Sequence, residues 1–395
     1  MKLIHVVSGM DPKDGGISQA VRTMINGLDS EGLVNEIVCM GSPSSKTSDP
    51  LHIHYVGPGK SSWLYNAKLG KWLSKNIDRF DAVLVHGLWQ YHTYAVYEVL
   101  KNQDGTKPMV FVMPHGMLDP WFQRAKGRKI KAIRNWFIWK MMEHRIVNKS
   151  DGLLFTCETE KILAKETFVP YHPKSETVVG LGVHPPPVFS EEMRHAFYEK
   201  CPELEDKNYL LFLSRIHIKK GVDLLIDAYL SLKSEGYELP ALVIAGPGLA
   251  TSYGLHVQLQ ALKDKNIYFP GMLDGPAKWG AFYGCETFVL PSHQENFGIA
   301  VVEALACGKF VLISDQVNIW REIKKNRAGL VEKDNKEGVK LLLKNWIHLT
   351  AIEKKEMSDK AKETYFKNYS VEQAVKKLRN AIYSSVTNNT MGPND

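Results

Sequence analysis

Short apolar runs alternate with helix-length amphipathic stretches along most of the chain, and this alternation constrains the fold more than any other feature. Several runs are continuously apolar, as expected of strands covered on both faces. Strands separated by helices of about a dozen residues favour βαβ crossovers and parallel sheets. The sequence predicts strands at Lys2–Val7, Glu36–Met40, Ile53–Val56, Ala82–Val85, Met109–Met113, Leu153–Thr156, Thr177–Val179, Tyr209–Ser214, Ala241–Ala245, Ile267–Phe269, Thr287–Leu290, Phe310–Ile313 and Leu330–Glu332.

The alternation is interrupted between about His184 and Asn208, where three prolines, Pro185–Pro187, precede a charged stretch. A chain of 395 residues is long enough for about two domains. We therefore predict an α/β protein with two doubly wound, Rossmann-like domains that face each other across a cleft lined by strand ends. The predicted segments are residues 1–185, a hinge at 186–207, a second domain at 208–365, and a helix at 366–387 that packs back across both domains.

Composition excludes several classes of protein. The chain is 44% hydrophobic and 24% charged, which is typical of globular proteins and not of disordered or fibrous ones. No run approaches the roughly 18–20 apolar residues of a membrane span, and Lys2–Val7 is too short for the core of a secretion signal. The five scattered cysteines favour neither a disulfide framework nor a zinc site. The expected location is the cytoplasm. Peripheral attachment to the inner face of the cytoplasmic membrane is the alternative.

The excess of positive charge is concentrated in one segment. The net charge is +7, but residues 124–149 contain nine basic side chains and one acid, Glu143, interleaved with aromatic residues. This mixture suits an anionic membrane surface, or alternatively nucleic acid, which we do not expect as a partner. The other interpretation is an amphipathic helix with Ile130, Ile133, Phe137 and Met141 facing the core. The predicted membrane patch consists of Arg124, Lys126, Arg128, Lys129, Lys131 and Arg134.

The stretch from Phe288 to Gly308 contains two acids in a strand–loop–helix pattern. Glu295 lies just before the predicted helix, where free backbone N–H groups attract anions. Glu303 lies inside the helix among apolar neighbours, where a carboxylate is costly unless it is paired. Two such acids can bind two hydroxyl-bearing parts of one ligand, whereas an isolated pair would more often be a cap and a surface charge.

A second pattern places Arg215 at the end of a predicted strand and Lys220 just before Gly221 and a helix. Two permanent cations in one loop can bind a diphosphate, the arginine bidentately and the lysine as a point charge. Taken alone, such residues are usually solvated. Their combination with Glu295 and Glu303 favours a binding site.

These motifs resemble the donor site of family 4 retaining glycosyltransferases, which have the GT-B fold. The family's Glu-x7-Glu motif is found as Glu295 and Glu303 within Pro-Ser…Glu-Asn-Phe-Gly…Glu-Ala-Leu-Ala-Cys-Gly, and its Arg-x4-Lys-Gly pattern as Arg215, Lys220 and Gly221. The resemblance covers nearly the whole chain and is sharpest from Arg215 to Gly308.

The resemblance implies roles for individual residues. Glu303 would hold ribose hydroxyls, Glu295 the sugar hydroxyls, and His115 the far side of the sugar from the other domain. The implied donor-binding residues are Gly16, Arg215, Lys220, Met272, Glu295, Asn296, Phe297, Gly298 and Glu303. The implied catalytic residues are Arg215, Lys220, Glu295 and His115, and the residues assigned to the acceptor side are His86, Trp89 and Asp119.

The function implied is retaining transfer of a hexose from a UDP- or GDP-linked sugar to a hydroxyl of a glycan or a lipid-linked glycan precursor, in surface polysaccharide synthesis. We expect no cofactor and no metal, since the chain has no Asp-x-Asp motif. One alternative is a GT-B nucleotide-sugar epimerase or phosphorylase. The other is a protein without catalytic activity that binds anionic membranes.

Overall fold

The computed structural model describes residues 1–11, 16–43, 49–103, 107–125 and 127–390, with side chains described up to residue 385. Its contacts divide the chain into two units. The first unit comprises Met1–Gly182 together with Val371–Asp395, and the second comprises Val183–Ser370.

The first unit contains a seven-stranded sheet with the order β3-β2-β1-β4-β5-β6-β7, in which every neighbouring pair is parallel. The strand order reverses between β1 and β4, so these two central strands form a topological switch point. The strands are β1 (Lys2–Val7), β2 (Val34–Cys39), β3 (Ile53–Tyr55), β4 (Ala82–His86), β5 (Met109–Met113), β6 (Gly152–Phe155) and β7 (Glu176–Val178).

Helices connect these strands in the βαβ manner that the alternation predicts. In the first helix Val21 and Leu28 are fully buried, because residues at this helical spacing share the face that packs on the sheet. The helices are α1 (Gly16–Ser30), α2 (Ala67–Asn76), α3 (Tyr91–Lys101), α4 (Trp121–Arg124), α5 (Lys129–Ile138), α6 (His144–Lys149) and α7 (Glu158–Ala164), with a π-helical turn at Trp139–Glu143 between α5 and α6.

The second unit repeats the same topology with six parallel strands in the order β10-β9-β8-β11-β12-β13. Its switch point lies between β8 and β11. The strands are β8 (Tyr209–Leu213), β9 (Ala241–Ala245), β10 (Ile267–Gly271), β11 (Thr287–Leu290), β12 (Val311–Ser314) and β13 (Gly329–Glu332). The helices are α8 (Glu191–Lys200), α9 (Val222–Ser234), α10 (Ser252–Ala261), α11 (Gly275–Gly284), α12 (Ile299–Ala306), α13 (Trp320–Lys325), α14 (Lys336–His348) and α15 (Ala351–Thr364).

The predicted hinge is corrected by helix α8. This helix lies within residues 186–207 but belongs to the second unit. It packs so closely on α11 that a Cβ at Gly280 would overlap the Met193 carbonyl oxygen. Phe197 is buried at this contact, so one aromatic side chain anchors a helix whose charged composition had indicated a linker.

The C-terminal helix α16 (Val371–Thr390) was predicted to pack across both domains, and the structure assigns it to the first unit. It lies against α1, where Gly27 has no side chain and lets Val371 and Val375 approach the helix backbone. Arg379 forms an ion pair with Glu31 beside this contact. None of the helices in the described part of the chain is long and apolar enough to cross a bilayer.

Candidate functional site

The two strongest sequence motifs lie in adjacent loops at the switch point of the second sheet. Arg215 follows β8 and Glu295 follows β11, and these strands are paired. In open α/β sheets ligands bind outside the carboxyl ends of the strands at such a point. The topology therefore brings together two loops that are about 80 residues apart in the sequence, as the parallel sheet predicts.

Lys220 and Glu295 form an ion pair between these loops. Lys220 is buried at the end of a short 3₁₀ turn, Ile218–Lys220. The turn is closed by Gly221, whose φ of +65° is left-handed and whose missing side chain leaves room for the Pro291 carbonyl oxygen. The two loops are thus packed together, and the lysine is held in place by the glutamate.

Arg215 is exposed and forms no ion pair with any residue that the structure describes. The pKa of nearby His217 lies below its usual value, first because of partial burial and then because of the positive charges of Arg215, Lys219 and Lys220. The loop after β8 is therefore electropositive, and its arginine is available for an anionic ligand.

The loop before α12 presents backbone amides at the same place. Its conformation is fixed on both sides, because Glu295 N–H donates to Gln316 O at 3.0 Å and Asn318 N–H donates to Glu295 O at 2.9 Å. Gly298 enters the helix with a φ of +78°, and no side chain caps the helix. The first-turn N–H groups are available for an anion.

Phe297 contributes to this loop by packing. Its side chain is buried and meets the ring of Tyr369 edge-on, with the centroids 5.6 Å apart. Only the backbone of Phe297 is therefore left for a ligand. Neighbouring Asn296 lies within reach of Asn318, whose side-chain nitrogen is 3.4 Å from Asn296 Oδ1.

Glu303 on α12 is paired with Lys278 on α11, with 2.8 Å between Nζ and Oε1. Lys278 Nζ also lies 4.1 Å from the ring centre of Trp279. Pairing explains how a carboxylate is tolerated among apolar neighbours. Lys278 was not predicted as a site residue, because no spacing signal in the sequence connects it to Glu303. Met272, predicted to contact the donor, follows β10 and is exposed.

In the first unit, two predicted residues have left-handed backbones although they are not glycine. The φ angles are +52° at His115 and +72° at Trp89. Such conformations persist only where the surroundings hold them, and they cluster at functional sites. Here buried Glu160 accepts Gly116 N–H at 2.5 Å, and buried Glu143 accepts Trp89 N–H at 2.9 Å.

Two acceptor-side assignments change in the structure. His86 is 1% exposed, and its ring nitrogens are bonded to His5 and His115, so its side chain does not face an acceptor. Asp119 is also buried, and its Oδ1 accepts Trp121 N–H at 2.8 Å at the start of α4. His5 was not predicted as a site residue, because its only sequence signal is that a histidine interrupts the first apolar strand.

Gly16 begins α1 and is exposed, and a side chain added there would meet no described atom within 4 Å of its Cβ. Its neighbour Gly15 lies outside the described residues, as does Lys126 of the predicted membrane patch. The remaining patch residues are exposed except Arg128, which is half-buried and lies 5.1 Å from the ring centre of Phe122.

The basic helix α5 does not face the core. Its apolar stripe is open to solvent, with exposures of 85% for Ile130, 59% for Ile133, 54% for Phe137 and 62% for Met141 just beyond the helix. The interpretation that these side chains pack inward is therefore wrong. An exposed apolar stripe among lysines and arginines is typical of helices that lie in a membrane interface.

One group in the described part of the chain has the geometry to hold a metal ion. It consists of Glu36, His52 and His54, with ligand atoms within 4.8 Å of one another at the amino end of β3. Lys2 Nζ lies 2.6 Å from Glu36, however, and His54 lies 2.6 Å from it. Burial acts to raise the pKa of Glu36, but these two hydrogen bonds lower it to about 2. The carboxylate is already neutralised by side chains.

Comparison with known proteins shows that the chain is similar to glycosyltransferases. Residues 194–364 match the family model described as Glycosyl transferases group 1. The chain is 24% identical over 302 residues to a D-inositol 3-phosphate glycosyltransferase of Jonesia denitrificans, covering 73% of this chain and 60% of that protein. It is 23% identical over 314 residues to the O-antigen chain mannosyltransferase C of Escherichia coli, covering 77% and 76% respectively.

Solved structures confirm the fold class. HepE of Anabaena, crystallised with UDP and glucose, has a TM-score of 0.73 to this chain at 13% identity, covering 97% of this chain and 100% of HepE. At this sequence identity the similarity shows the fold alone. The chain spans about three fifths of the length of the D-inositol 3-phosphate glycosyltransferase that it matches.

Proposed function

We propose that the protein is a glycosyltransferase that moves a hexose from a UDP- or GDP-linked sugar to a hydroxyl group, with retention of the anomeric configuration. The observation that carries this proposal is the convergence of Arg215, Lys220 and Glu295 at the switch point of the second sheet. The match of this unit to glycosyl transferases group 1 supports the same assignment.

In the proposed reaction, the bond between the sugar and the nucleoside diphosphate breaks, and negative charge accumulates on the leaving phosphate. Arg215 and Lys220 stabilise that charge, together with the first-turn amides of α12. Lys220 is already buried and held by Glu295, so little reorganisation is needed. Removing one preorganised donor of this kind typically costs about 2.7–4 kcal/mol of barrier, a loss of roughly 10²–10³ in kcat.

The acid residues bind hydroxyl groups in this proposal. Glu303 holds the ribose and Glu295 the sugar, and each carboxylate accepts hydrogen bonds while a lysine balances its charge. The leaving phosphate takes the acceptor proton, as the family resemblance implies. His115 accepts a hydrogen bond from a sugar hydroxyl.

Binding of nucleoside diphosphates tests the central contact. Isothermal titration with UDP and with GDP is expected to show that the protein binds one of them, and that Arg215→Ala weakens it by roughly 10–100-fold, the value of a charged hydrogen-bonding partner. Lys265→Ala is the matched control, because Lys265 is exposed and lies at the amino end of the edge strand β10, whereas Arg215 follows the carboxyl end of the central strand β8. Equal affinities for the Arg215→Ala and control proteins would contradict the proposal.

The rival reactions are separated by their products. Incubation with labelled UDP-glucose or GDP-mannose without an acceptor would yield an epimeric nucleotide sugar from an epimerase. A phosphorylase would yield a sugar phosphate when inorganic phosphate is added. We expect neither product, and expect instead that any sugar released or transferred keeps its anomeric configuration by NMR.

We further propose that no metal takes part in the transfer. The proposal rests on two cations, Arg215 and Lys220, at the place where a metal would otherwise neutralise the diphosphate. Turnover in excess EDTA is expected to equal turnover without it. Loss of activity that a divalent metal alone restores would overturn this part of the proposal.

The acceptor is proposed to be a glycan or lipid-linked glycan precursor at an anionic membrane surface, in surface polysaccharide synthesis. The exposed apolar stripe of α5 supports membrane contact, because its basic residues reach anionic headgroups while its isoleucines enter the interface. The name of the Escherichia coli relative places that protein in O-antigen chain synthesis.

Helix α2 provides a matched control for membrane binding. It also carries three exposed lysines, Lys68, Lys71 and Lys75, but its Leu69 and Leu73 are buried. Co-sedimentation with phosphatidylglycerol vesicles is expected to fall when Lys129, Lys131 and Arg134 become glutamate, and also for Ile130→Ser with Ile133→Ser. Reversing the three α2 lysines is expected to have a smaller effect, and binding should weaken with added salt. Unchanged binding in the α5 variants would refute membrane docking.

A further inference from the structure

A line of polar side chains, buried except for half-buried His115 at its end, crosses the first sheet. It runs from Asn35 on β2 through His5 on β1 and His86 on β4 to His115 beyond β5. Each step moves one strand sideways and two residues towards the carboxyl end in the strand register. Because side chains alternate between faces with a period of two, Asn35, His5 and His86 lie on the same face, and His115 follows just beyond the end of β5.

Hydrogen bonds join the line from end to end. Asn35 Oδ1 lies 3.1 Å from His5 Nε2, His5 Nδ1 lies 3.0 Å from His86 Nε2, and His86 Nδ1 lies 3.0 Å from His115 Nε2. His5 and His86 are fully buried. Burial lowers the pKa of His5 and of His115 to about 4, so the rings are neutral at pH 7. Between neutral imidazoles, each bond needs one protonated and one bare nitrogen.

The anchor of the line sets the direction of every bond. Asn35 Nδ2 lies 2.7 Å from an Asp29 carboxylate oxygen and 3.2 Å from the Leu33 carbonyl oxygen. Both partners can only accept, so the amide nitrogen faces them and the amide oxygen faces His5. His5 must therefore carry its proton on Nε2 and offer a bare Nδ1. The same reasoning puts the proton of His86 on Nε2, and then that of His115 on Nε2.

We propose that Asn35, His5 and His86 are positioning residues that lock His115 in the tautomer with a bare Nδ1, which accepts a hydrogen bond from a sugar hydroxyl of the ligand. Among the described residues the only hydrogen-bond partner of the His115 ring is His86. His115 Nδ1 can accept but cannot donate, so it selects ligands with a hydroxyl at that position. The contact between His115 and a sugar hydroxyl rests on the proposed function, whereas the prediction of the His115 tautomer does not.

The tautomer is measured directly by NMR of protein labelled with ¹⁵N-histidine, in which bare and protonated ring nitrogens have distinct shifts. His5, His86 and His115 are expected to carry their protons on Nε2 in the unmodified protein without ligand. A protonated Nδ1 on His115 would overturn the proposal, whether or not the protein binds nucleotides.

Substitutions at His5 test the direction of the line. His5→Phe removes the group that accepts the His86 proton, so His86 can protonate Nδ1 and donate to His115, whose own proton then moves to Nδ1. His5→Gln keeps an acceptor oxygen and is expected to retain the original tautomer. Should His5→Phe fail to fold by circular dichroism, Asn35→Leu is expected to give a mixture of His115 tautomers, because the anchor is lost.

The functional consequence is confined to the sugar. KM for the nucleotide sugar that is bound, UDP-glucose or GDP-mannose, is expected to rise roughly tenfold in His5→Phe and to recover in His5→Gln. The Kd of free UDP or GDP is expected to stay unchanged, because none of the residues in the line belongs to the proposed diphosphate site. Equal losses for the free nucleotide and the nucleotide sugar would show a merely structural role. Protonation of His115 on Nε2 without nucleotide binding would instead contradict the proposed function and leave the line intact.

Discussion

The loop between β11 and α12 contains residues that face the proposed ligand site and a residue that packs against the core. Glu295 and Gly298 present a carboxylate and backbone amides, whereas Phe297 holds the loop against the core. A signature read only from the sequence assigns all of them to the donor. Burial separates them, because the Phe297 ring packs on Tyr369 and leaves only its backbone for a ligand.

Phe297→Ala is expected to destabilise the protein by about 3–5 kcal/mol, the usual cost of removing a buried aromatic side chain. Phe297→Leu is expected to cost much less and to bind UDP or GDP with unchanged affinity. Chemical denaturation and isothermal titration measure the two effects. A loss of affinity in Phe297→Ala without a loss of stability would show that the ring contacts the ligand.

Glu143 is a buried carboxyl group held under Trp89, and it has a distinct pH signature. Burial raises its pKa to about 7, although hydrogen bonds from Thr93 and from the Trp89 amide act in the opposite direction. Since the folded pKa lies above the unfolded value, the stabilising effect of this group is complete below about pH 4.5 and is lost as the pH rises towards 7.

Glu143→Gln is therefore expected to remove a pH-dependent contribution of up to about 1.4 kcal/mol per pH unit between pH 4.5 and 7. Urea denaturation of both proteins at several pH values gives this difference directly. Parallel stability curves for the two proteins would show that Glu143 titrates normally.

At the scale of elements, the turn between β8 and α9 determines whether Lys220 reaches Glu295. Gly221 ends this turn with a left-handed backbone against the Pro291 carbonyl oxygen, and Gly236 follows the other end of α9 with a φ of +88° in open space. Both glycines have left-handed φ angles, but only Gly221 lies against another part of the chain.

Gly236→Ala is expected to cost about 1–2 kcal/mol, the penalty of a left-handed alanine. Gly221→Ala pays the same penalty and must also separate the two loops, so its Tm is expected to be clearly lower and its affinity for UDP or GDP reduced. Thermal unfolding with and without nucleotide measures both variants. Equal losses of Tm would mean that the two loops can separate freely.

At the scale of the whole molecule, the pKa values of poorly exposed histidines shift in different directions in the two units. In the first unit burial lowers the pKa of His5, His92 and His115 to about 4 and holds that of His86 well below its usual value. In the second unit the pKa of His293 is raised, chiefly by its hydrogen bond to Asp334. A lowered histidine pKa gives stability that is present above about pH 6.5 and is lost as the pH falls, whereas a raised one acts in the opposite direction.

In the first unit the four lowered histidine pKa values outweigh the single raised carboxyl pKa of Glu143, which acts in the opposite direction. The first unit is therefore expected to open before the second on acidification from pH 7 to 4.5. Hydrogen–deuterium exchange read by mass spectrometry, corrected for the intrinsic effect of pH, follows β1, β4 and β5 separately from β8 and β11. Simultaneous loss of protection in both units, or earlier loss in the second, would contradict this expectation.

Periodicity in the sequence was sufficient to predict all the strands of both sheets to within about two residues at each end. Apolar runs are local signals, and strands that are buried on both faces have little other choice of structure. The same signals placed Arg215 and Glu295 after strand ends and Lys220 just before a helix, and parallel topology then made their loops neighbours. The assignment of α8 to a hinge was wrong because a charged helix can be anchored by one buried ring, and Phe197 carries no local sign of its partner.

The sequence by itself determined which segments form strands and which loops carry cations and acids, since these depend on neighbours along the chain. Only the tertiary structure decided that Lys278 balances Glu303, that His5 lies behind His86 and His115, and that the apolar stripe of α5 is exposed. Each of these depends on which distant residues the sheet register and helix packing bring within about 3–4 Å, the range of hydrogen bonds and close packing.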